Sequence, residues 1–300
     1  STVYFKYLND EVDYLSETKD DEESLSGKAQ WIGLKHQFFS SVLISNDGFE
    51  KPISVKTTTK EGSTQFVKNL EVEASLAYNH NSKESIPLQF YFGPNHYETL
   101  SSYNMDLERM IPLGWGIFRW VNKYAVIPIF NWLDNSITNY GIIILIMTFI
   151  IKMALAPFTL KAYKSQAKMK VLKPEIDKIN EKHKDKDPMK AQQATMALYK
   201  KAGVNPLGGC VPMLLQMPIL FALFRFFPAS IELRQKSFLW ATDLSTYDSV
   251  LDLPFEIPFY GDHVSLFTLL MTISTLLYTR MNSQMSGPQM AQMKWMMYLM

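Results

Sequence analysis

One apolar segment, Tyr140–Pro157, constrains this chain more than any other feature of its 300 residues. The segment is apolar apart from Thr148 and Lys152, and Val126–Trp132 adds further apolar residues before it. A helix crosses the hydrocarbon core of a bilayer with about 20 mainly apolar residues. Residues 125–160 are therefore predicted to form a transmembrane helix.

Two shorter apolar segments follow, and we expect further transmembrane helices at residues 205–228 and 263–280. The first of these contains Pro212, Gln216 and Pro218. Proline within a membrane helix is tolerated where neighbouring helices satisfy the backbone groups that it leaves free. The sequence thus predicts a membrane α-helical bundle.

Charge patterning predicts the orientation of these helices. Residues 161–204 hold 12 lysines against five acidic residues, a net charge of +7. The loop 229–262 has a net charge of −4, and residues 1–109 have a net charge of −7. Basic loops stay on the cytoplasmic side of bacterial membranes. Residues 161–204 are therefore predicted to be cytoplasmic, and the two acidic regions to lie outside.

Residues 1–109 have the pattern of an all-β domain. Apolar and polar residues alternate along Leu70–Leu76 and again along Ile86–Phe92, as in strands with one buried face. Asn46–Gly48 has the composition of a turn between strands. We expect part of an antiparallel β-sandwich, with Asp20–Glu23 in a solvated loop and metal binding there as the less favoured alternative.

Two amphipathic regions flank the first predicted transmembrane helix. Residues 110–124 can form a helix at the membrane surface, with Trp115 and Phe118 on one face and Arg119 on another. A helix that covers the sandwich is the alternative. Residues 161–204 predict a cytoplasmic helical hairpin, since apolar residues recur there at helical spacing. Its lysines suit ribosomal RNA or anionic lipid, and a merely soluble charged loop is the alternative; those singled out are Lys164, Lys168, Lys170, Lys173, Lys178 and Lys182.

Lys152 is the strongest functional candidate. It lies within the hydrocarbon layer if the first helix spans the bilayer, where a lysine costs about 2.5–3.5 kcal/mol. Such a side chain either faces a polar cavity or extends to the membrane edge, and spacing alone leaves both open. No acidic residue lies within the apolar runs Tyr140–Pro157, Leu207–Phe227 and Val264–Tyr278, and all five histidines lie outside them, which argues against a proton relay.

Motifs of enzymes are missing from the sequence. There is no glycine-rich phosphate loop, no His and Cys pair at metal-ligand spacing and no nucleophile elbow. We therefore expect no enzymatic activity, no cofactor and no metal site. Cys210 is the single cysteine, so an intrachain disulfide is excluded.

Met196–Pro218 carries a resemblance to a known family. With Thr148–Lys152, Gln166–Met169, Trp31–Ile44 and Gly93-Pro94, it resembles the YidC membrane protein insertases of Gram-negative bacteria, which have a large periplasmic domain. The resemblance suggests a fragment without the first membrane anchor, most of the sandwich and the last two transmembrane helices. Residues 281–294 would be a short cytoplasmic loop, and 295–300 the start of a truncated helix.

The resemblance implies a protein of the inner membrane that inserts client proteins through a hydrophilic groove open to the cytoplasm and to lipid. Lys152 stands where many members carry arginine, and Thr148, Gln216 and Met217 match groove or client-contacting positions. The hairpin lysines match the region that engages the ribosome and targeting machinery. Implied partners are nascent membrane proteins, the ribosome, the Sec translocon, the signal recognition particle pathway and lipid, without a small-molecule substrate. A transporter or channel subunit that binds a small anion at Lys152, and a purely structural anchor, remain as alternatives.

Overall fold

The computed structural model describes residues 1–59, 68–78, 80–183, 188–203, 211–258 and 261–282. The predicted segments 281–294 and 295–300 lie almost entirely outside these residues, as do the side chains of Lys170 and Lys182. The chain forms two units. The first contains Ser1–Gly114 with Arg225–Arg234, and the second contains Trp115–Phe224 with Gln235–Met300.

The first unit is built from antiparallel strands. They form two sheets that share β5, with the orders β2-β1-β4-β5-β7 and β3-β5-β6. A short helix α1 and a 3-10 turn at Leu107–Met110 follow the strands. The bounds are β1 Thr2–Tyr7, β2 Val12–Tyr14, β3 Asp21–Ser24, β4 Ala29–Lys35, β5 Phe39–Thr59, β6 Lys68–Ser75, β7 Leu88–Pro94 and α1 Tyr97–Ser101.

Strand β5 passes from one sheet to the other. Its residues 39–45 pair with β7, whereas residues 53–59 pair with β6. We expected a turn at Asn46–Gly48, but the strand continues through it because Gly48 adopts a φ of 81° that bends the chain without reversing it. Phe49 lies in a buried cluster with Ile32 of one sheet and Val55 of the other. The shared core is consistent with the predicted sandwich.

Two details of the first unit differ from the sequence-based prediction. Asp21–Ser24 is strand β3 rather than part of a loop, because Glu22 pairs across the sheet with Lys56 at 2.7 Å and its charge stays at the surface. The unit also extends to Gly114 rather than residue 109, since Met110 is fully buried against Gly33.

The second unit is mainly helical. A short two-stranded hairpin, β8–β9, precedes the last described helix. The bounds are α2 Ile117–Val121, a π-helical turn Asn122–Val126, α3 Ile127–Asp134, α4 Tyr140–His183, α5 Pro188–Lys201, α6 Val211–Ala229, β8 Ser249–Ile257, β9 Gly261–Ser265 and α7 Leu266–Asn282. The end of α6 and a 3-10 turn at Ile231–Leu233 belong to the first unit.

The helix predicted over 125–160 is broken. The surface helix predicted over 110–124 instead begins at Ile117 and continues through α3 to Asp134, and α4 begins separately at Tyr140. The break has a local cause: Asn139 precedes α4, and its side-chain oxygen accepts a hydrogen bond of 3.2 Å from the N–H of Ile142. Asparagine at this position starts a helix by satisfying one of its first free N–H groups.

Helix α4 is long enough to cross a membrane and to continue beyond it. Tyr140–Ser165 is long and apolar enough for a span, and little of it is buried. The apolar parts of α6 and α7, Leu214–Ala229 and Leu266–Arg280, are shorter. The number of transmembrane helices therefore stays a prediction. The sequence predicted a boundary at residue 161 between the transmembrane helix and the cytoplasmic hairpin. In the structure α4 continues without a break to His183, so one helix includes both parts, and it contacts α5.

Candidate functional site

Lys152 and Thr148 lie side by side on α4, one helical turn apart, and both side chains are exposed. At about 1.5 Å per residue, Lys152 is about 18 Å from the start of the apolar segment Tyr140–Ser165 and about 20 Å from its end. The Thr148 hydroxyl donates to the carbonyl of Ile144 at 2.8 Å. Among the described residues, no carboxylate lies within ion-pair distance of the Lys152 ammonium group.

The two polar residues lie at a border on the surface of α4. At about 3.6 residues per turn they fall between a buried side and an exposed apolar side of the helix. The buried side consists of Ile143, Met147 and Leu155, and the exposed side of Leu145, Phe149 and Met153. The arrangement provides a hydrogen-bonding edge next to a surface suited to another apolar helix.

Gln216 and Met217 are neighbours on α6, and both are half-buried. Pro218 follows them and has no N–H, so the carbonyl of Leu214 lacks its usual helical donor. No hydrogen bond joins Gln216 to Thr148 or Lys152 within the described part of the chain. The four predicted residues thus form two separate pairs, one on α4 and one on α6, and their meeting in one groove stays a prediction.

Asn122 fastens the π-helical turn to α6. Its side chain is fully buried, and its amide nitrogen donates to the carbonyl of Ala222 at 2.9 Å. Phe118 packs beside it against Phe221, with ring centres 5.5 Å apart. Sequence analysis missed Asn122, for which the only signal was an amide within an aromatic and amphipathic segment. Phe118 was predicted to share a face with Trp115, and their rings do meet edge to face with centres 5.4 Å apart, while Phe118 also packs against α6.

The surface helix carries more exposed aromatic residues than expected. Trp115 is 76% exposed, and Trp120, Tyr124 and Trp132 are also exposed. Arg119 is half-buried. Tryptophan and tyrosine favour the boundary between lipid and water, where their rings are apolar and their N–H or O–H groups reach polar partners. These aromatic residues are suited to the lipid headgroup region.

The start of α4 is closely covered by the segment that follows α6. A Cβ atom added to Gly141 would overlap the ring of Phe238. The Lys236 ammonium group lies 5.3 Å from the centre of the Tyr140 ring, which also faces Phe130 of α3. Gly141 therefore permits an approach that a larger residue would block.

The last part of α6 packs within the first unit. Gln37 donates to the carbonyl of Pro228 at 3.2 Å, and His96 faces Glu232 at 3.6 Å. The guanidinium group of Arg234 lies 5.2 Å from the ring centre of Phe39. Nothing in the sequence pattern indicated these contacts, because they join residues more than 130 positions apart.

Four of the predicted hairpin lysines, Lys164, Lys168, Lys173 and Lys178, are exposed on the second half of α4. Leu172, Ile176 and Ile179 are half-buried on the same part of the helix, as the predicted apolar stripe requires.

Asp248 organises the start of α7. Its carboxylate accepts hydrogen bonds from the Ser265 hydroxyl, from the N–H of Phe267 at 2.9 Å and from the indole N–H of Trp240 at 2.8 Å. The Ser265 hydroxyl in turn accepts from the N–H of Thr268 at 3.1 Å. Burial opposes ionisation of Asp248, but these hydrogen bonds outweigh it and hold its pKa below the ordinary value. A carboxylate is also favoured at a helix N-terminus.

This environment predicts a pH-dependent stability. A lowered folded-state pKa means that ionised Asp248 stabilises the folded protein fully above the ordinary aspartate pKa of about 4, and that the contribution is lost as pH falls through the folded pKa. We expect Asp248→Asn to lower the thermal unfolding midpoint at about pH 7, and the difference from the native protein to shrink as the pH falls below the ordinary aspartate pKa of about 4. Asp262→Asn, an exposed control in the same hairpin, should leave the midpoint at pH 7 unchanged. A difference for Asp248→Asn that stays constant with pH contradicts the assignment.

Comparison with known proteins agrees with this architecture. Residues 132–300 match the family model of the 60Kd inner membrane protein, and residues 1–127 match that of the YidC periplasmic domain. The chain is 48% identical to the membrane protein insertase YidC of Parabacteroides distasonis over 315 residues, covering 100% of this chain and 49% of the relative. The corresponding protein of Bacteroides fragilis is 49% identical over 307 residues, with 99% and 50% coverage. That of Porphyromonas gingivalis is 42% identical over 318 residues, with 100% and 51% coverage.

The chain spans about half the length of the curated relatives it matches. The β-rich part of its first unit, Ser1–Gly114, falls within the periplasmic model, and α4, Lys152, α6 and α7 fall within the inner-membrane model. These matches confirm the resemblance noted in Met196–Pro218 and extend it to the whole chain. The chain therefore belongs to the 60Kd inner membrane protein family, the family of the YidC membrane protein insertases.

Proposed function

We propose that this protein inserts client membrane proteins into the bacterial inner membrane through a hydrophilic groove at Lys152. The observation that carries the proposal is an exposed lysine near the middle of the long apolar segment of α4, without a carboxylate partner among the described residues. An uncompensated cation at this depth is costly unless water or a polar guest solvates it. The name of the relatives, membrane protein insertase, supports the same function.

The chemistry of the groove follows from its two surfaces. Lys152 and Thr148 offer charge and hydrogen bonds to the polar segment of a client that must cross, with acidic segments favoured most. The neighbouring exposed side of α4, which includes Leu145, Phe149 and Met153, offers an apolar surface to the client's own helix. Water and a cation part of the way into the bilayer shorten the apolar distance that the polar segment crosses, which lowers its desolvation cost.

Transfer of the client's apolar helix into lipid supplies the driving force. Burial of apolar surface contributes about 25 cal/mol per Å², so a helix of about 20 apolar residues provides a large favourable free energy. No nucleotide hydrolysis is then needed. The relatives are named insertases, in keeping with a protein that binds and releases clients without catalysing a reaction.

The second half of α4 and helix α5 form the proposed cytoplasmic hairpin. A helix of 44 residues at about 1.5 Å per residue measures about 66 Å, well beyond the hydrocarbon thickness of about 30 Å. Its exposed lysines, among them Lys164, Lys168, Lys173 and Lys178, suit the phosphates of ribosomal RNA. We place the ribosome and the signal recognition particle pathway as partners on this side of the membrane, the Sec translocon as a partner within the membrane, and the β-rich unit in the periplasm.

Reconstitution tests the function directly. The complete gene product that contains residues 1–300 is placed in liposomes, and a single-span client with an acidic translocated segment is added. We expect the translocated segment to become protected from protease in these liposomes and to stay accessible in protein-free ones. Saturable flux of a small anion such as chloride, without client protection, would favour the transporter alternative and overturn the proposal.

A further inference from the structure

We propose that the β8–β9 hairpin lies on the outer lipid surface of the membrane and holds the start of α7 at that surface. The inference rests on the proposed function and on α7 entering the membrane, as predicted for residues 263–280. Sequence analysis predicted only a loop over residues 229–262. The structure contains in its place a hairpin of nine residues in β8 and five in β9.

The base of the hairpin is firmly joined to α7. Asp248, immediately before β8, receives hydrogen bonds from Ser265 at the end of β9 and from the N–H of Phe267 in the first turn of α7. Trp240 adds a third hydrogen bond to Asp248, and its indole packs on the Phe267 ring with centres 4.7 Å apart. The hairpin therefore begins where the apolar helix begins.

The hairpin has an unpartnered apolar side. Leu251 pairs with Val264 and Asp252 pairs with His263, so these two cross-strand pairs point to opposite faces. Every second residue of β8 from Leu251 to Ile257 is apolar, and Leu251 and Phe255 are 58% and 62% exposed, although the pairing register shifts between Asp252 and Ile257. A two-stranded hairpin is marginally stable alone in water, so an exposed apolar side implies a surface that covers it.

A neutral lipid surface fits this side best. Pro254 lies within β8 and Pro258 just beyond it, which disfavours pairing with an added strand. No lysine or arginine lies between Lys236 and Arg280, so the segment offers no positive charge to anionic headgroups. Its acidic residues would remain on the side that faces water. The apolar side is continuous in sequence with α7, whose Leu269, Leu270 and Ile273 are exposed. Zwitterionic lipid around the start of α7 would cover both the apolar side of the hairpin and these exposed residues of α7.

Site-directed spin labelling tests the proposal. In the complete gene product with every native cysteine replaced by serine, Cys210 included, the variants Leu251→Cys and Phe255→Cys are compared with the matched variants Asp252→Cys and Glu256→Cys, in vesicles of zwitterionic lipid. Collision rates are measured with oxygen, which concentrates in lipid, and with a water-soluble nickel chelate. We expect the oxygen-to-nickel ratio to be at least about threefold higher at Leu251 and Phe255 than at Asp252 and Glu256.

Equal ratios at the four positions, with free access of the nickel chelate, would overturn the proposal. Labels at Leu251 and Phe255 that are shielded from both reagents would mean that protein covers the face, which also overturns it. Client insertion by each labelled variant is measured in parallel. If the hairpin is exposed to water but the variants still insert clients, this inference fails while the proposed function stands. If client insertion is absent from the unlabelled protein as well, the proposed function itself fails.

Discussion

Replacing Lys152 by leucine or glutamate is expected to lower insertion of clients with acidic translocated segments by about tenfold or more, whereas arginine preserves it. Two opposite charges 4 Å apart interact by about 4 kcal/mol at an effective dielectric constant of about 20. Loss of a third of that interaction is about 1.4 kcal/mol, which is a factor of about ten. The measurement is protease protection of the client in liposomes that contain each variant at equal density.

Lys161→Leu provides the matched control, since it removes the same charge from an exposed position on the same helix, close to Ser165 at the end of the apolar segment. Its insertion activity should remain close to that of the native protein. A client whose acidic residues are replaced by neutral ones should be almost insensitive to the Lys152 substitutions. If Lys152→Leu inserts the acidic client as well as the native protein does, Lys152 only extends to the membrane edge and the electrostatic mechanism is wrong.

Gly141→Ala is expected to destabilise the protein by about 1–3 kcal/mol, because its new methyl group would overlap the Phe238 ring in a closely packed contact. The effect should reverse when Phe238 is first replaced by alanine. With the ring removed, alanine gains over glycine in an α-helix by up to about 1 kcal/mol. Thermal unfolding of the four proteins of this double-mutant cycle in detergent measures both effects.

A change of sign between the two backgrounds assigns the cost to the Phe238 contact. If Gly141→Ala is equally destabilising with and without the Phe238 ring, the glycine is needed for another reason and the proposed contact does not hold α4. We expect insertion activity to fall in parallel with stability, since α4 carries Lys152.

Much of the fold was accessible from local patterns. Alternation along Leu70–Leu76 predicted strand β6, and most of Ile86–Phe92 lies in β7, but there the predicted buried face is wrong because Tyr91 is buried while Phe90 and Phe92 are exposed. Helical spacing predicted the half-buried stripe on the second half of α4, Leu172, Ile176 and Ile179. Asn139, which separates α3 from α4, was itself a readable helix start that the strength of the apolar pattern obscured.

The β8–β9 hairpin shows why other elements were missed. Leu251, Leu253, Phe255 and Ile257 alternate with less apolar residues, which is the pattern of a strand with one apolar face. Pro254 argued against a strand at that point, and only an edge position reconciles the two signals. Local sequence cannot report whether a segment is at an edge, because that depends on what else pairs with it.

The candidate groove was likewise predictable only in part from the sequence. The depth of Lys152, its spacing from Thr148 and the charge of the flanking loops are properties of consecutive residues, so the sequence alone determined them. The contacts that position these helices join Asn122 to Ala222 and Gly141 to Phe238, about a hundred positions apart. Apolar burial is non-directional and does not specify its partner. Only the tertiary structure, in which shape and hydrogen bonding select one partner among many apolar surfaces, decided which side of α4 is covered and which remains open.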